Sequence, residues 1–192
     1  MKKIVLASAS LRRQELLRQI GLKFEILIRP VDETLPGGLP PQEAVCELAY
    51  RKAKEAADSE KWGIFIGADT VVVHQDKVLG KPTDFSDAID TLRKLSGSDH
   101  LVITGFCVIN AATGKTVKTS ESTRVFFRHL TDVEIKAYVD SGEPMDKAGS
   151  YGIQGLGSVL VDRIEGCYFN VVGLPLAKLA LVLKQFGIEV LG

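Results

Sequence analysis

Apolar runs of strand length alternate along this chain with segments whose apolar residues recur at helical spacing, and that alternation most restricts what it can fold into. Ile4-Val5-Leu6-Ala7 reads as a buried strand, Ser8-Ala9-Ser10 as a tight polar turn, and Leu11 to Ile20 as a helix closed by Gly21. A second strand is predicted over Phe24 to Ile28. Pro40-Pro41 then opens a helix with Ala44, Val45, Leu48, Ala49, Ala53 and Ala56 on one face. Ile64-Phe65-Ile66 continues through Gly67-Ala68-Asp69-Thr70 into Val71-Val72-Val73, with a hairpin turn at Gln75-Asp76-Lys77. Helices follow at Ser86 to Leu95, after the capping box Thr131-Asp132-Val133-Glu134, and from Pro175 to Phe186; Leu101 to Asn110 and Thr116 to Phe127 form a hairpin. Because several neighbouring strands are joined by hairpins, the expected sheet is mixed rather than purely parallel, twisted and flanked by helices. The whole chain reads as one domain, with no repeat, low-complexity tract or flexible linker.

Composition narrows the partners. Lys+Arg and Asp+Glu number 24 each among 192 residues, and no basic stripe is interleaved with aromatics, which speaks against nucleic acid. No stretch approaches the ~20 apolar residues of a membrane span, and the apolar run after Met1 is too short for a signal peptide, so the cytoplasm is expected. Cys46, Cys107 and Cys167 lack metal-ligand spacing and read as buried small hydrophobes.

Four segments carry possible chemistry. In Ser8-Ala9-Ser10-Leu11-Arg12-Arg13, hydroxyls and guanidiniums cluster where a helix begins, a natural place for phosphate; the alternative is that Ser10 only caps the helix and both arginines are solvated. Asp69 lies among strand residues, where an uncompensated carboxylate costs several kcal/mol, so it answers either to a functional cation or to a turn it caps. Glu33, in Val31-Asp32-Glu33-Thr34, is either a second carboxylate ligand or loop surface. Lys52, Lys81 in Gly80-Lys81-Pro82, and Lys147 each have the plain alternative of a solvated ammonium. Gly149 to Gly157 is a glycine-rich loop containing Gln154, whose amide can pair with a base edge. Neither a Walker loop nor a GxGxxG dinucleotide motif is present.

Together, Ser8-Ala9-Ser10-Leu11-Arg12-Arg13, Asp32-Glu33, Gly67-Ala68-Asp69-Thr70-Val71-Val72, Gly80-Lys81-Pro82, Leu95-Ser96-Gly97, Gly142-Glu143-Pro144-Met145-Asp146-Lys147-Ala148-Gly149, Tyr151-Gly152-Ile153-Gln154-Gly155 and Val172-Gly173-Leu174-Pro175 resemble, in order and over the whole chain, the Maf family of nucleotide pyrophosphatases. Leu11 departs from the family's usual Pro, and Phe169 from a small hydroxyl residue before the Asn; both bear on local loop shape. The resemblance implies an α/β fold shared with inosine triphosphate pyrophosphatases (Maf/Ham1-like), two lobes around a cleft, a homodimer, and hydrolysis of a nucleoside triphosphate to monophosphate and pyrophosphate. It makes Asp69 the general base and assigns Ser8, Arg13, Lys52 and Lys81 to the triphosphate. A divalent cation, Mg²⁺, Mn²⁺ or Co²⁺, is expected on Glu33 and Asp69.

The family's branches differ at three places. Arg12, Thr70 and Gln154 resemble the dTTP and UTP branch; the 7-methyl-GTP branch typically carries an aromatic residue, a Gln and an acid there. Donors and a two-faced amide suit a neutral pyrimidine, whereas an alkylated cationic purine calls for stacking and a carboxylate. Two competing readings are a non-catalytic nucleotide-binding regulator linked to cell division and a phosphatase releasing orthophosphate.

Overall fold

The fold is described from a computed structural model, covering residues 2–191. Strand β1 (Ile4–Leu6) is followed by helix α1 (Leu11–Gln19), β2 (Glu25–Ile26), α2 (Pro41–Asp58), β3 (Ile64–His74), β4 (Lys77–Leu79) and α3 (Phe85–Leu95). Strands β5 (Asp99–Asn110) and β6 (Thr116–Phe127), helix α4 (Asp132–Asp140), β7 (Val161–Glu165), α5 (Tyr168–Val172) and α6 (Leu176–Lys184) complete the order. The strands form one seven-stranded sheet in the order β2-β1-β3-β5-β6-β7, with β4 paired to β3. It is mixed, as expected: β1 runs parallel to β2 and β3, while β3/β4 and β6/β7 are antiparallel.

Local signals account for the element ends. Thr131 and Glu134 make both halves of the capping box at the start of α4. Gln75 and Asp76 take φ of 48° and 61°, the left-handed pair a two-residue β3–β4 hairpin requires, placing His74 opposite Lys77. Three expectations change. The second strand shrinks to Glu25–Ile26, both exposed and held only along β1. Strand β7 and helix α5 appear where none was predicted, because Val161–Glu165 is too charged to alternate clearly and five residues are too few to show a helical period. Of the cysteines only Cys107 is buried; Cys46 and Cys167 are half-buried.

The chain gathers into two compact units, Met1–Asp69 with Thr104–Glu121 and Gly173–Gly192, and Thr70–Ile103 with Ser122–Val172. Strands β3, β5 and β6 contribute residues to both, so the division falls within elements rather than at linkers. The first unit's core includes Val5, Ala7, Ala49, Ala53, Ala56, Phe65, Cys107 and Ile109. The second packs Val72, Leu92, Leu95, Val125, Phe127, Ile135, Tyr138, Tyr151 and Leu160. Among the described residues no helix is long and apolar enough to cross a membrane.

Candidate active site

In the first unit the turn after β1 is built around a buried arginine. Ser8 is buried, and its Oγ accepts hydrogen bonds from the Ser10 backbone N–H at 3.3 Å and from Arg13 Nη1 at 3.2 Å. Ser10 is the N-cap of α1, accepting from the Arg13 backbone N–H at 3.5 Å, so its hydroxyl serves the helix. Leu11, where the family has Pro, is the first helical residue and exposed, which leaves the helix start intact. Arg13 Nε donates to the Gly173 carbonyl at 2.8 Å, a partner supplied by the Val172-Gly173-Leu174-Pro175 segment. Sequence reasoning missed that partner, since a backbone carbonyl leaves no mark in residue type. Burial lowers the Arg13 pKa, against which the negative charges of Asp69 and Glu33 raise it and Arg12 lowers it again. A guanidinium stays protonated under such opposing influences, so Arg13 is an immobilised cation. Arg12, half-buried at the next position back, lacks that enclosure.

The second feature of this unit depends on a close helix–strand approach. A Cβ on Gly67 would lie 2.2 Å from the Ala49 carbonyl oxygen, and one on Gly105 would lie 2.5 Å from the Val45 carbonyl carbon. Only glycine in β3 and β5 lets α2 lie this close, and Ala49 and Ala53 present the small surface that meets it. Lys52, on the same turn of α2, thereby reaches Asp69: its Nζ is 2.8 Å from Asp69 Oδ1 and 2.9 Å from Glu33 Oε1. The Lys52 and Asp69 side chains are 12% and 18% exposed, whereas Glu33 is 64% exposed. Asp69 stands in the middle of a continuous strand, which removes its reading as a turn cap. Glu33 is on the loop surface and in the cluster at once.

Asp69 and Glu33 thus turn two hard oxygen donors toward one cation, the Lys52 ammonium. Among the described residues no group of three or more His, Cys, Asp or Glu side chains is gathered into a metal cage. Two carboxylates are what a Mg²⁺-type ion takes from protein when phosphates and water fill the other positions, so this donor set fits the expected divalent cation. A groove of about 380 Å³ elsewhere in the first unit, between Leu39, Cys46 and Ser120, contains none of these residues.

The remaining candidates belong to the second unit. Thr70 follows Asp69 on β3, so the pleat sends the two side chains to opposite faces of the strand. Lys81 and Gln154 are both exposed. Their loops are tied together by the Gly149 N–H donating to the Gly80 carbonyl at 3.0 Å. Lys147, in the same loop, donates to the Glu143 carbonyl and to Asp146 Oδ1, which gives it a structural part.

Comparison with known proteins identifies the family. The family model described as Maf-like protein matches residues 3–186. A dTTP/UTP pyrophosphatase of Desulforamulus reducens is 52% identical over 190 residues, covering 99% of this chain and 100% of the relative. One from Pelotomaculum thermopropionicum is 54% identical over 191 residues, covering all of both chains. The crystal structure of a nucleoside-triphosphatase / dITP/XTP pyrophosphatase from Mycobacterium abscessus superposes with a TM-score of 0.50 at 14% identity, over 96% of this chain and 97% of that one, which is a likeness of fold. With the motifs spread from Ser8 to Pro175 and matches running nearly end to end, the chain belongs to the Maf-like protein family.

Proposed function

We propose that this chain hydrolyses nucleoside triphosphates between the α- and β-phosphates, with dTTP and UTP as its preferred substrates. The observation that carries the reading is the Lys52 ammonium held between Asp69 and Glu33, a largely covered acid–cation pairing in the middle of β3 that a merely structural strand has no need of. Full-length relatives named dTTP/UTP pyrophosphatase support the substrate class.

Asp69 is the general base. It draws a proton from water as the water oxygen forms a bond to the α-phosphorus; the bond from that phosphorus to the bridging oxygen breaks and pyrophosphate leaves with the electron pair. Arg13, with its guanidinium direction set by Ser8 and Gly173, and Lys81 offset the negative charge of the phosphates. Lys52 holds the Asp69 carboxylate in place and is a further cation for the triphosphate. Glu33 and Asp69 are the residues that would hold a divalent cation, which supplies Lewis-acid charge neutralisation when bound. Arg12, Thr70 and Gln154 read the pyrimidine through its carbonyl oxygens and ring N–H. A cytoplasmic location, where the triphosphate pool lies, and a homodimer complete the reading.

The test is to incubate the protein with Mg²⁺ or Mn²⁺ and dTTP, UTP, CTP, ATP, GTP or 7-methyl-GTP, measuring pyrophosphate and orthophosphate separately. Pyrophosphate, formed fastest from dTTP and UTP, is expected. Orthophosphate as the only product would overturn the reaction, and preference for 7-methyl-GTP would overturn the assignment of Arg12, Thr70 and Gln154.

A further inference from the structure

The glycine-rich loop that carries Gln154 closes around a carboxylate to which neither motif spacing nor residue type assigns a role. Glu143 follows α4 in a short 3-10 turn (Glu143–Asp146), and Gln154 immediately precedes another (Gly155–Leu160). Glu143 Oε1 accepts from the Gly157 backbone N–H at 3.0 Å and from the Tyr138 hydroxyl at 3.0 Å, and Oε2 accepts from the Leu156 backbone N–H at 2.9 Å. Tyr138, anchored in the second unit's core, in turn accepts from the Gly152 backbone N–H at 3.2 Å. Both flanks of Gln154 are therefore tied to one pair of side chains, Gly152 on one side and Leu156 and Gly157 on the other. The enclosure is tight: a Cβ on Gly155, at φ +65°, would lie 2.7 Å from Glu143 Oε2. Successive backbone N–H groups around an anion form a nest that usually receives a ligand's phosphate or carboxylate, and here the chain's own glutamate fills it.

We propose that Glu143 is the positioning residue of the base-reading loop: its carboxylate, held on Tyr138, locks the Gly155–Gly157 turn and so fixes where Gln154 presents its amide. The inference rests on the reading of Gln154 as a base reader. An exposed loop with three glycines would otherwise scatter that amide over many directions, and recognition by a neutral hydrogen bond depends on its geometry. Ionisation agrees with the geometry. Burial pushes the Glu143 carboxyl up, but the Gly157 and Leu156 N–H groups and the Tyr138 hydroxyl outweigh it, so its pKa lies below the ordinary value and the anion is retained at neutral pH.

The experiment compares Glu143→Gln, Gln154→Ala and the double variant by the ratio of kcat/KM for UTP to that for ATP. Glutamine keeps the shape but replaces one acceptor oxygen by an N–H₂ group, so at least one of three donors loses its acceptor. The expected result is a roughly three- to tenfold fall in the ratio for Glu143→Gln, the scale of one neutral hydrogen bond, carried mainly by KM for UTP. The double variant should fall no further than Gln154→Ala alone. An unchanged ratio in Glu143→Gln beside a fall in Gln154→Ala overturns the proposal and leaves the reading of Gln154 standing. No effect of Gln154→Ala overturns both. A full additional fall in the double variant overturns the proposal, because Glu143 then acts by another route. Should Glu143→Gln fail to fold, Tyr138→Phe, which removes only the hydroxyl linking the two flanks, carries the same comparison with a smaller expected fall.

Discussion

The two units place polar chemistry in opposite settings. In the first, the key cations are covered and held: Arg13 is buried against Ser8 and Gly173, and Lys52 lies between Asp69 and the exposed Glu33. In the second, Lys81 and Gln154 are exposed, and order comes from the loop that carries them, gathered on Glu143, Tyr138 and Gly80. Charges facing a triphosphate gain from a low local dielectric and fixed direction, and once enclosed they must be paired. Groups that discriminate a neutral base need only a fixed direction at the surface. Loss of the Asp69 cluster should therefore lower the rate on every nucleotide, whereas loosening the loop around Gln154 should act on selectivity.

The largest effect expected is from Asp69→Asn, which is isosteric and removes the base. Pyrophosphate release should fall about 10²–10⁴-fold on every nucleotide alike, with nucleotide binding by calorimetry preserved. Retained turnover would break the assignment of chemistry to the first unit. Next in size is an acid sensitivity expected of the second unit, which contains all three histidines. His100 is buried, its Nε2 lying 2.7 Å from the Tyr151 hydroxyl; burial, with the neighbouring His74 adding to it and Asp99 opposing, pushes its pKa down to about 4. The unfolded chain takes up this proton below about pH 6.5 and the folded one only near 4, so stability from this group is lost as pH falls through that window, by up to roughly 3 kcal/mol. Urea midpoints at pH 7 and 5 check it, and a His100→Gln protein that keeps the same pH slope would refute it.

Gly67→Ala tests the seat of α2. The added methyl meets the Ala49 carbonyl and should cost about 1–3 kcal/mol in thermal stability, with a matching loss of rate as Lys52 leaves Asp69. Full stability would show that the helix yields freely. The smallest effect expected is from Thr131→Ala at the start of α4, about 1 kcal/mol by denaturant midpoint with selectivity unchanged. A re-ranking of nucleotides by that substitution would break the separation between loop order and mere helix stability.

Much of this architecture is legible locally. The α2 apolar stripe, the capping box at Thr131, the hairpin at Gln75-Asp76 and the strand around Asp69 follow from period and from residues within a few positions of each other. The family resemblance points to Asp69, Glu33, Arg13, Ser8 and Lys52, which lie in one unit, and to Lys81, which lies in the other. Strand β7 and helix α5 were not legible, since one is too polar and the other too short to carry a period.

Tertiary structure alone decided the pairings. Lys52 lies between Asp69 and Glu33 because two glycines let α2 settle onto β3 and β5. Arg13 takes its direction from a carbonyl 160 residues away, and Glu143 fills a nest built by backbone N–H groups 13 and 14 residues further on. Residue type and spacing determine which groups this chain possesses and the elements that carry them. Which acid meets which cation is set by close packing and by the cost of burying an unpaired charge, and both act between segments remote along the chain.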